Sequence, residues 1–276
     1  MTDDELKNKE HLRKRSLEKL AKMRPMDDTL MRRMFKDNIE LAEGILRIIL
    51  NKPDLIIESL KTQVDMKQVG GARSICLDAY GIDRKGTRYD IEVQKASYGA
   101  DIYRARYYSS VLDVENLRAG QEFNDLPEIY IIFITEKDTF KDGKGIHLIE
   151  RYDVTNGKAI KDGSHIIYVN GQYRDESDLG LLMHDFNCKN ASEMHFSFMA
   201  DSTRYLKETQ KGVESMCDIM EEFIREERTE ASNEAELRTS AEIAKSLYDG
   251  GMPVELIAKH VKRPIETVKE WLGIAA

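Results

Sequence analysis

Residues Ser74–Lys95 read SICLDAYGIDRKGTRYDIEVQK. In the first half Ile75, Leu77 and Ala79 alternate with Cys76, Asp78 and Tyr80. In the second, Ile91 and Val93 alternate with Asp90, Glu92 and Gln94. A period of two with β-branched residues predicts two strands, and Arg84-Lys85-Gly86 between them predicts a hairpin. The second strand then carries two carboxylates and an amide along one face.

Working outward, MDDTLMRRMFKDNIELAEGILRIIL after Pro25 has a helical apolar pattern. It is interrupted near Lys36–Asp37, which predicts two helices, the second closed by Asn51-Lys52-Pro53. A first strand is expected within Asp54–Gln68. Beyond the hairpin, ADIYRARYYSSVLDVENL places Ile102, Ala105, Tyr108, Val111 and Leu112 on one stripe of a helix. EIYIIFITE is a nearly continuous apolar run, as in a strand buried on both faces. HLIERYDV and SHIIYVNG add strands separated by an Asn156-Gly157 turn. The order predicts an α/β fold with a mixed sheet flanked by helices and an α-helical C-terminal region. The expected divisions are a charged N-terminal helix or arm over 1–24, a core over 25–200 and a helical region over 201–276. In the last, an acidic helix has Met216, Ile219, Met220, Phe223 and Ile224 on its apolar side, and a polar stretch, Thr229–Glu236, separates it from the tail.

The net charge of −8 and a pI of about 5.4 argue against a protein that simply coats nucleic acid, so any DNA contact must be local. No apolar run is long enough to span a membrane, and the charged N-terminus lacks a signal-peptide core. Cys76, Cys188 and Cys217 lie far apart, which fits a reducing cytosol and a soluble cytoplasmic protein. No nucleophile elbow, phosphate-binding loop or dinucleotide glycine pattern occurs.

Antiparallel neighbours lie about 5 Å apart, so Asp78 and Glu92 can converge on one metal ion. Two carboxylates, a backbone carbonyl (Val93 is the natural donor) and waters make the oxygen-rich shell that Mg²⁺ prefers. An acid on one strand followed by E-x-K on the next is the layout of PD-(D/E)XK nucleases, with Gln94 here at the lysine position. The chain more closely resembles the PD-(D/E)XK family transposases, or recombination-promoting nucleases. The residues that carry the resemblance are LDAYGID with Asp78, YDIEVQKA with Glu92 and Gln94, and RARYYSSVLD with Arg104, Arg106, Tyr107 and Tyr108. LPEIYIIFITE and SHIIYVNGQYRD complete it, over roughly residues 25–225.

The resemblance implies a restriction-endonuclease-like core and metal-dependent cleavage of DNA phosphodiesters, linked to transposition or recombination. The alternative is a catalytically weakened nuclease fold kept as a DNA-binding or protein-interaction scaffold. By resemblance, Asp78 and Glu92 hold Mg²⁺, with Mn²⁺ as a substitute, and Gln94 orients the attacking water or the phosphate. A helical acid from the first core helix would be Glu40 or Glu43, with Glu40 preferred. Arg104 and Arg106, with Tyr108 or Tyr107, are expected at the DNA. Lys95 joins them, although its side chain leaves on the opposite face and replaces the motif lysine only if a bulge shifts the register. Asp90 reads as a bystander and Asp83 as a turn residue.

His147, His165, His184 and His195 show no ligand spacing and read as structural, with His184-Asp185 as a local pair. The tail, AEIAKSLYDGGMPVELIAKHVKRPIETVKEWL, resembles a helix-turn-helix with Ile257, Val268 and Trp271 or Leu272 in its core. It lacks the turn glycine, with Lys262 near that place, and its last helix carries Glu266 and Glu270 against Lys269. That balance favours a packing or homodimerisation module over a DNA reader.

Overall fold

Six strands form one mixed sheet: β1 (Ile57–Met66), β2 (Ile75–Asp83), β3 (Arg88–Gln94), β4 (Ile129–Thr135), β5 (Ile146–Ile149) and β8 (Ser164–Asn170), in the order β1-β2-β3-β4-β8-β5. They belong to a computed structural model that describes residues 3–66, 73–95 and 100–274, the side chains of 3–9 and 222–236 excepted. Strands β1, β2 and β3 are antiparallel, β3, β4 and β8 run parallel, and β5 returns antiparallel to β8. Every residue of β4 is buried, as its unbroken apolar run predicts for a central parallel strand. The turn at Asn156-Gly157 closes a separate two-stranded ribbon, β6 (Tyr152–Asp153) with β7 (Lys158–Ala159), Gly157 taking φ +66°.

The helical segment after Pro25 is two helices, α2 (Asp28–Phe35) and α3 (Ile39–Leu50), divided at Asp37 (φ 56°) and ended by Asn51 in the left-handed region. They bury Leu30, Met31, Met34 and Phe35, then Leu41, Ala42, Ile45, Leu46 and Ile49. Preceding them, α1 (Asp3–Lys22) buries Leu20, and the Lys207 ammonium donates to the carbonyls of Ala21 and Met23 at its C-terminal end. Helix α4 (Ile102–Asn116) is capped by the Asp101 carboxylate and packs Ala105, Tyr108, Val111 and Leu112 with Ile131, Phe133 and Tyr168 of the sheet. Ile102 departs from the expected stripe and stands exposed in the first turn, ahead of the buried contacts.

The chain divides into two compact units, Met1–Cys217 and Asp218–Ala276. The first runs past the expected boundary at 200 because α6 (Ser197–Glu208) buries Met199, Ala200, Thr203 and Leu206, and Met216 and Cys217 are buried as well. Helix α7 (Gln210–Asp249) stays helical through Thr229–Glu236, where a break was expected. That stretch has no Gly or Pro, and its two Ala and three Glu outweigh the weaker helix formers Thr229, Ser232 and Asn233. Phe223 and Ile224 lie outside the described side chains. In the second unit, α8 (Val254–Val261) and α9 (Ile265–Leu272) bury Ile257, Ala258 and Val268 with Ala244. Lys262 adopts φ 54° and fills the left-handed cap where a glycine would be usual.

Candidate active site

The sheet opens at one point. Pairing of β2 with β3 runs from Ile82–Arg88 to Ala79–Ile91. Beyond it β2 continues against β1 as far as Ile75, and β3 continues against β4 as far as Gln94. The two strands therefore fork, and the next residues on the two arms are Asp78 and Glu92. Their side chains take over the lost ladder bonds: the Asp78 N–H donates to Glu92 Oε1 at 3.0 Å and the Val93 N–H to Asp78 Oδ2 at 3.4 Å. Because the Gln94 carbonyl accepts from Glu136 on the β4 side, the neighbouring carbonyl of Val93 points the other way, into the fork.

Both acids are buried, Glu92 at 1% exposure and Asp78 at 5%. Burial is the main cause that pushes the Glu92 carboxyl up to about 8, with the Asp78 charge adding to it. The Asp78 N–H and the guanidinium groups of Arg104 and Arg32 pull the other way. Asp78 is also raised by burial, against the opposing pull of Arg32.

Gln94 and Arg104 complete the fork. Arg104, in the first turn of α4, donates to Glu92 Oε2 at 2.9 Å, to Gln94 Oε1 at 2.9 Å and to the Tyr108 hydroxyl at 2.8 Å. Its guanidinium lies over the Tyr108 ring, 5.0 Å from the centroid. The Gln94 amide nitrogen donates to Glu92 Oε2 at 3.2 Å. The amide thus ties the arginine to the acid.

Three groups that sequence reasoning did not assign also meet here. Arg32 of α2 places Nε 2.6 Å from Asp28 Oδ1 and 3.4 Å from Asp78 Oδ1, close charge contacts without hydrogen-bond alignment. The Asp28–Arg32 spacing of four was the signal for this pair. Gln63 of β1 sits at φ 52° and donates to Asp78 Oδ1 at 3.4 Å. Asp90, expected as a bystander, is wholly buried beneath Glu92, and neither carboxylate oxygen has a hydrogen-bond partner. Burial, then the charges of Glu92 and Asp78, hold it far above the usual carboxylate range.

Other expected residues lie elsewhere. Glu40 is exposed and lines a recess with Asn38, Phe198, Asp201, Ser202 and Tyr205, away from the fork. Glu43 accepts the Ile57 N–H at 2.8 Å and pairs with Arg47, fixing the start of β1. Lys95 pairs with Asp27, with no bulge to bring it onto the Gln94 face. Tyr108 is buried against Phe133 and serves Arg104 rather than an open surface. The Tyr107 hydroxyl donates to the Arg73 carbonyl. Arg106 is exposed on the far side of α4, over the Tyr103 ring. Asp83 is a turn residue, accepting the N–H groups of Lys85 and Thr87. No helix among the described residues is long and apolar enough to cross a membrane.

A mixed sheet flanked by helices, forking to present an acid on each arm, is the architecture of a PD-(D/E)XK nuclease core, with Gln94 standing here where that motif has lysine. The model of the PD-(D/E)XK nuclease family transposases matches residues 25–177, more than half of the chain. The chain belongs to that family, and its function is of the nuclease or transposase-related kind. No curated protein and no solved structure matches it significantly.

Proposed function

We propose that this protein is a divalent-metal-dependent DNA endonuclease, with Asp78, Glu92, Gln94 and Arg104 as its working residues. The observation that carries the reading is the fork between β2 and β3, which turns two strand carboxylates toward one point. The donor set suits a hard cation: the carboxylates of Asp78 and Glu92 and the carbonyl of Val93 are all oxygen. Mg²⁺, or Mn²⁺ in its stead, would supply a lowered pKa for a bound water and a counter-charge for the phosphate.

The chain's own groups divide the remaining work. Asp78 and Glu92 would hold the cation as carboxylates, and Glu92 would give up the proton that burial favours. Arg104 supplies the positive charge that an E-x-K motif would place at position 94. Its guanidinium can pass from the acid to a phosphate oxygen, a change of partner between two anions that its planar fork fits equally well. Gln94 keeps that guanidinium oriented through its carbonyl oxygen. Arg106, exposed on the far side of α4, and Lys95, paired with Asp27, take no part in this division.

Supercoiled plasmid incubated with Mg²⁺, Mn²⁺ or chelator tests the reading. Wild type is expected to nick or linearise it only with metal, and Asp78→Ala and Glu92→Gln to leave it supercoiled. An intact plasmid over a range of metals and DNA substrates sinks the endonuclease assignment, leaving the scaffold alternative. Equal cleavage by the variants sinks the site.

A further inference from the structure

The four histidines read as structural from spacing do not share one fate. His165 bridges Glu128 and Glu150 across the sheet edge, and His147 pairs with Asp142. His184 and His195 instead converge on Asp185 and Cys188. Helix α5 (Asp178–Asn187) ends with His184 and Asp185 in its last turn, and Cys188 is its C-cap. The chain then passes through a short 3₁₀ turn, Ala191–Glu193, and returns His195 to the same place.

Two of the three donor separations in this cluster are those of atoms sharing an ion. His184 Nδ1 lies 3.4 Å from Cys188 Sγ and 3.4 Å from Asp185 Oδ1, and donor atoms of all three residues fall within 4.8 Å of one another. A tetrahedral zinc ion with bonds of about 2.3 Å to sulfur and about 2.0–2.1 Å to nitrogen and oxygen sets its donors about 3.3–3.6 Å apart. Asp185 is fully buried and Cys188 nearly so, whereas the His184 and His195 side chains are each 42% exposed. The cluster is therefore rooted in the core and open on one side. Asp185 is held in place by the N–H groups of His195 and Phe196 at 2.9 Å, and by His195 Nδ1 at 3.0 Å. Such a shell around a ligating carboxylate is what fixes its orientation toward a metal.

We propose that His184, Asp185 and Cys188 form a second, thiolate-containing site for a zinc-class divalent cation, with His195 positioning Asp185. Its soft sulfur and imidazole donors select Zn²⁺ or Co²⁺, where the all-oxygen fork selects Mg²⁺. The ion would lock the last turn of α5 to its C-cap, within the unit Met1–Cys217.

The test uses the full-length protein carrying Asp78→Ala and Glu92→Gln, so that the fork cannot bind metal. After loading with Zn²⁺ or Co²⁺ and exhaustive dialysis, one equivalent of zinc is expected by elemental analysis. The cobalt form is expected to show a near-ultraviolet thiolate-to-cobalt charge-transfer band. Cys188→Ser should abolish the band. His184→Ala, at a half-exposed position, should lose the metal with the circular dichroism spectrum unchanged. His195→Ala should weaken binding about 10- to 100-fold. No retained zinc, or a cobalt band that survives Cys188→Ser or His184→Ala, overturns the proposal and leaves the cluster a thiol–imidazole hydrogen bond. Because the fork is disabled throughout, neither result depends on the protein cutting DNA.

Discussion

Replacing Glu92 by Gln gives a stability change that can be worked out from the burial of one carboxyl. The Glu92 carboxyl titrates ordinarily at 4.5 and at about 8 in the folded chain. Between those values the folded protein keeps a proton that the unfolded chain has released. Stability then falls with rising pH by about 1.4 kcal/mol per pH unit for this one proton. The contribution is complete below pH 4.5 and is lost as pH rises through about 8. Over the whole interval it amounts to roughly 5 kcal/mol, a ceiling because Asp78 and Asp90 share the local charge.

Asp90 is raised in the same sense and keeps its own slope in the variant. Glu92→Gln should therefore make the decline shallower by about one proton, not flat. The Gln amide oxygen can still accept the Asp78 N–H, so the variant is expected to fold. The assay is urea unfolding in chelator from pH 5 to 7.5, followed by far-ultraviolet circular dichroism. Fluorescence would report only the tail, because Trp271 is the single tryptophan. Adding Mg²⁺ at a hundred times its dissociation constant near pH 8 should restore about 2.7 kcal/mol to wild type and nothing to the variant. Parallel pH slopes for the two proteins would refute the argument, since Glu92 would then not be the buried acid that carries the proton.

Arg104→Ala should lower the initial rate of plasmid nicking on the order of 100-fold by removing one charged donor from the phosphate, with the circular dichroism spectrum unchanged. Adding Gln94→Lys to it should recover part of the rate, and a double variant no faster than Arg104→Ala would count against Arg104 as the missing lysine. Arg32→Gln removes the charge that opposes burial at Asp78, so its carboxyl should rise further. The half-saturating Mg²⁺ concentration at pH 7 should then increase and the rate profile move to higher pH; unchanged metal and pH titrations would refute this. Gly171→Ala would put a Cβ 2.4 Å from the Thr135 carbonyl oxygen and 3.3 Å from Glu136 Cα, both backbone. Overpacking there should cost about 1–3 kcal/mol in urea unfolding, and an unchanged midpoint would contradict it.

What was legible in the sequence follows the range of each signal. The hairpin, the buried β4 and the paired helices α2 and α3 declare themselves in periods of two or 3.6 residues, which neighbouring residues alone set. Glu92 and Asp78 were within reach because a hairpin is local. Arg32 and Gln63 were not, since each meets Asp78 only after α2 and β1 have packed. Asp90 shows the limit on a single strand: alternation gives its face, but only the covering by α4 turns that face from solvated to buried. Of the histidine–cysteine cluster only the pair His184-Asp185 was read, although Cys188 follows His184 by one helical turn; the return of His195 to Asp185 depends on the 3₁₀ turn before it.

Position 94 carries this furthest. Read alone, a neutral amide where the motif has lysine looks like a loss of transition-state charge. In the fold the amide accepts from Arg104, ten residues on, whose guanidinium also reaches Glu92. A lysine at 94 would set a second cation against that guanidinium with only Glu92 Oε2 between them. The neutral side chain is therefore what lets an arginine from α4 occupy the fork. On the proposed reading, Gln94 and Arg104 act as one unit that places the motif's positive charge on the helix instead of the strand.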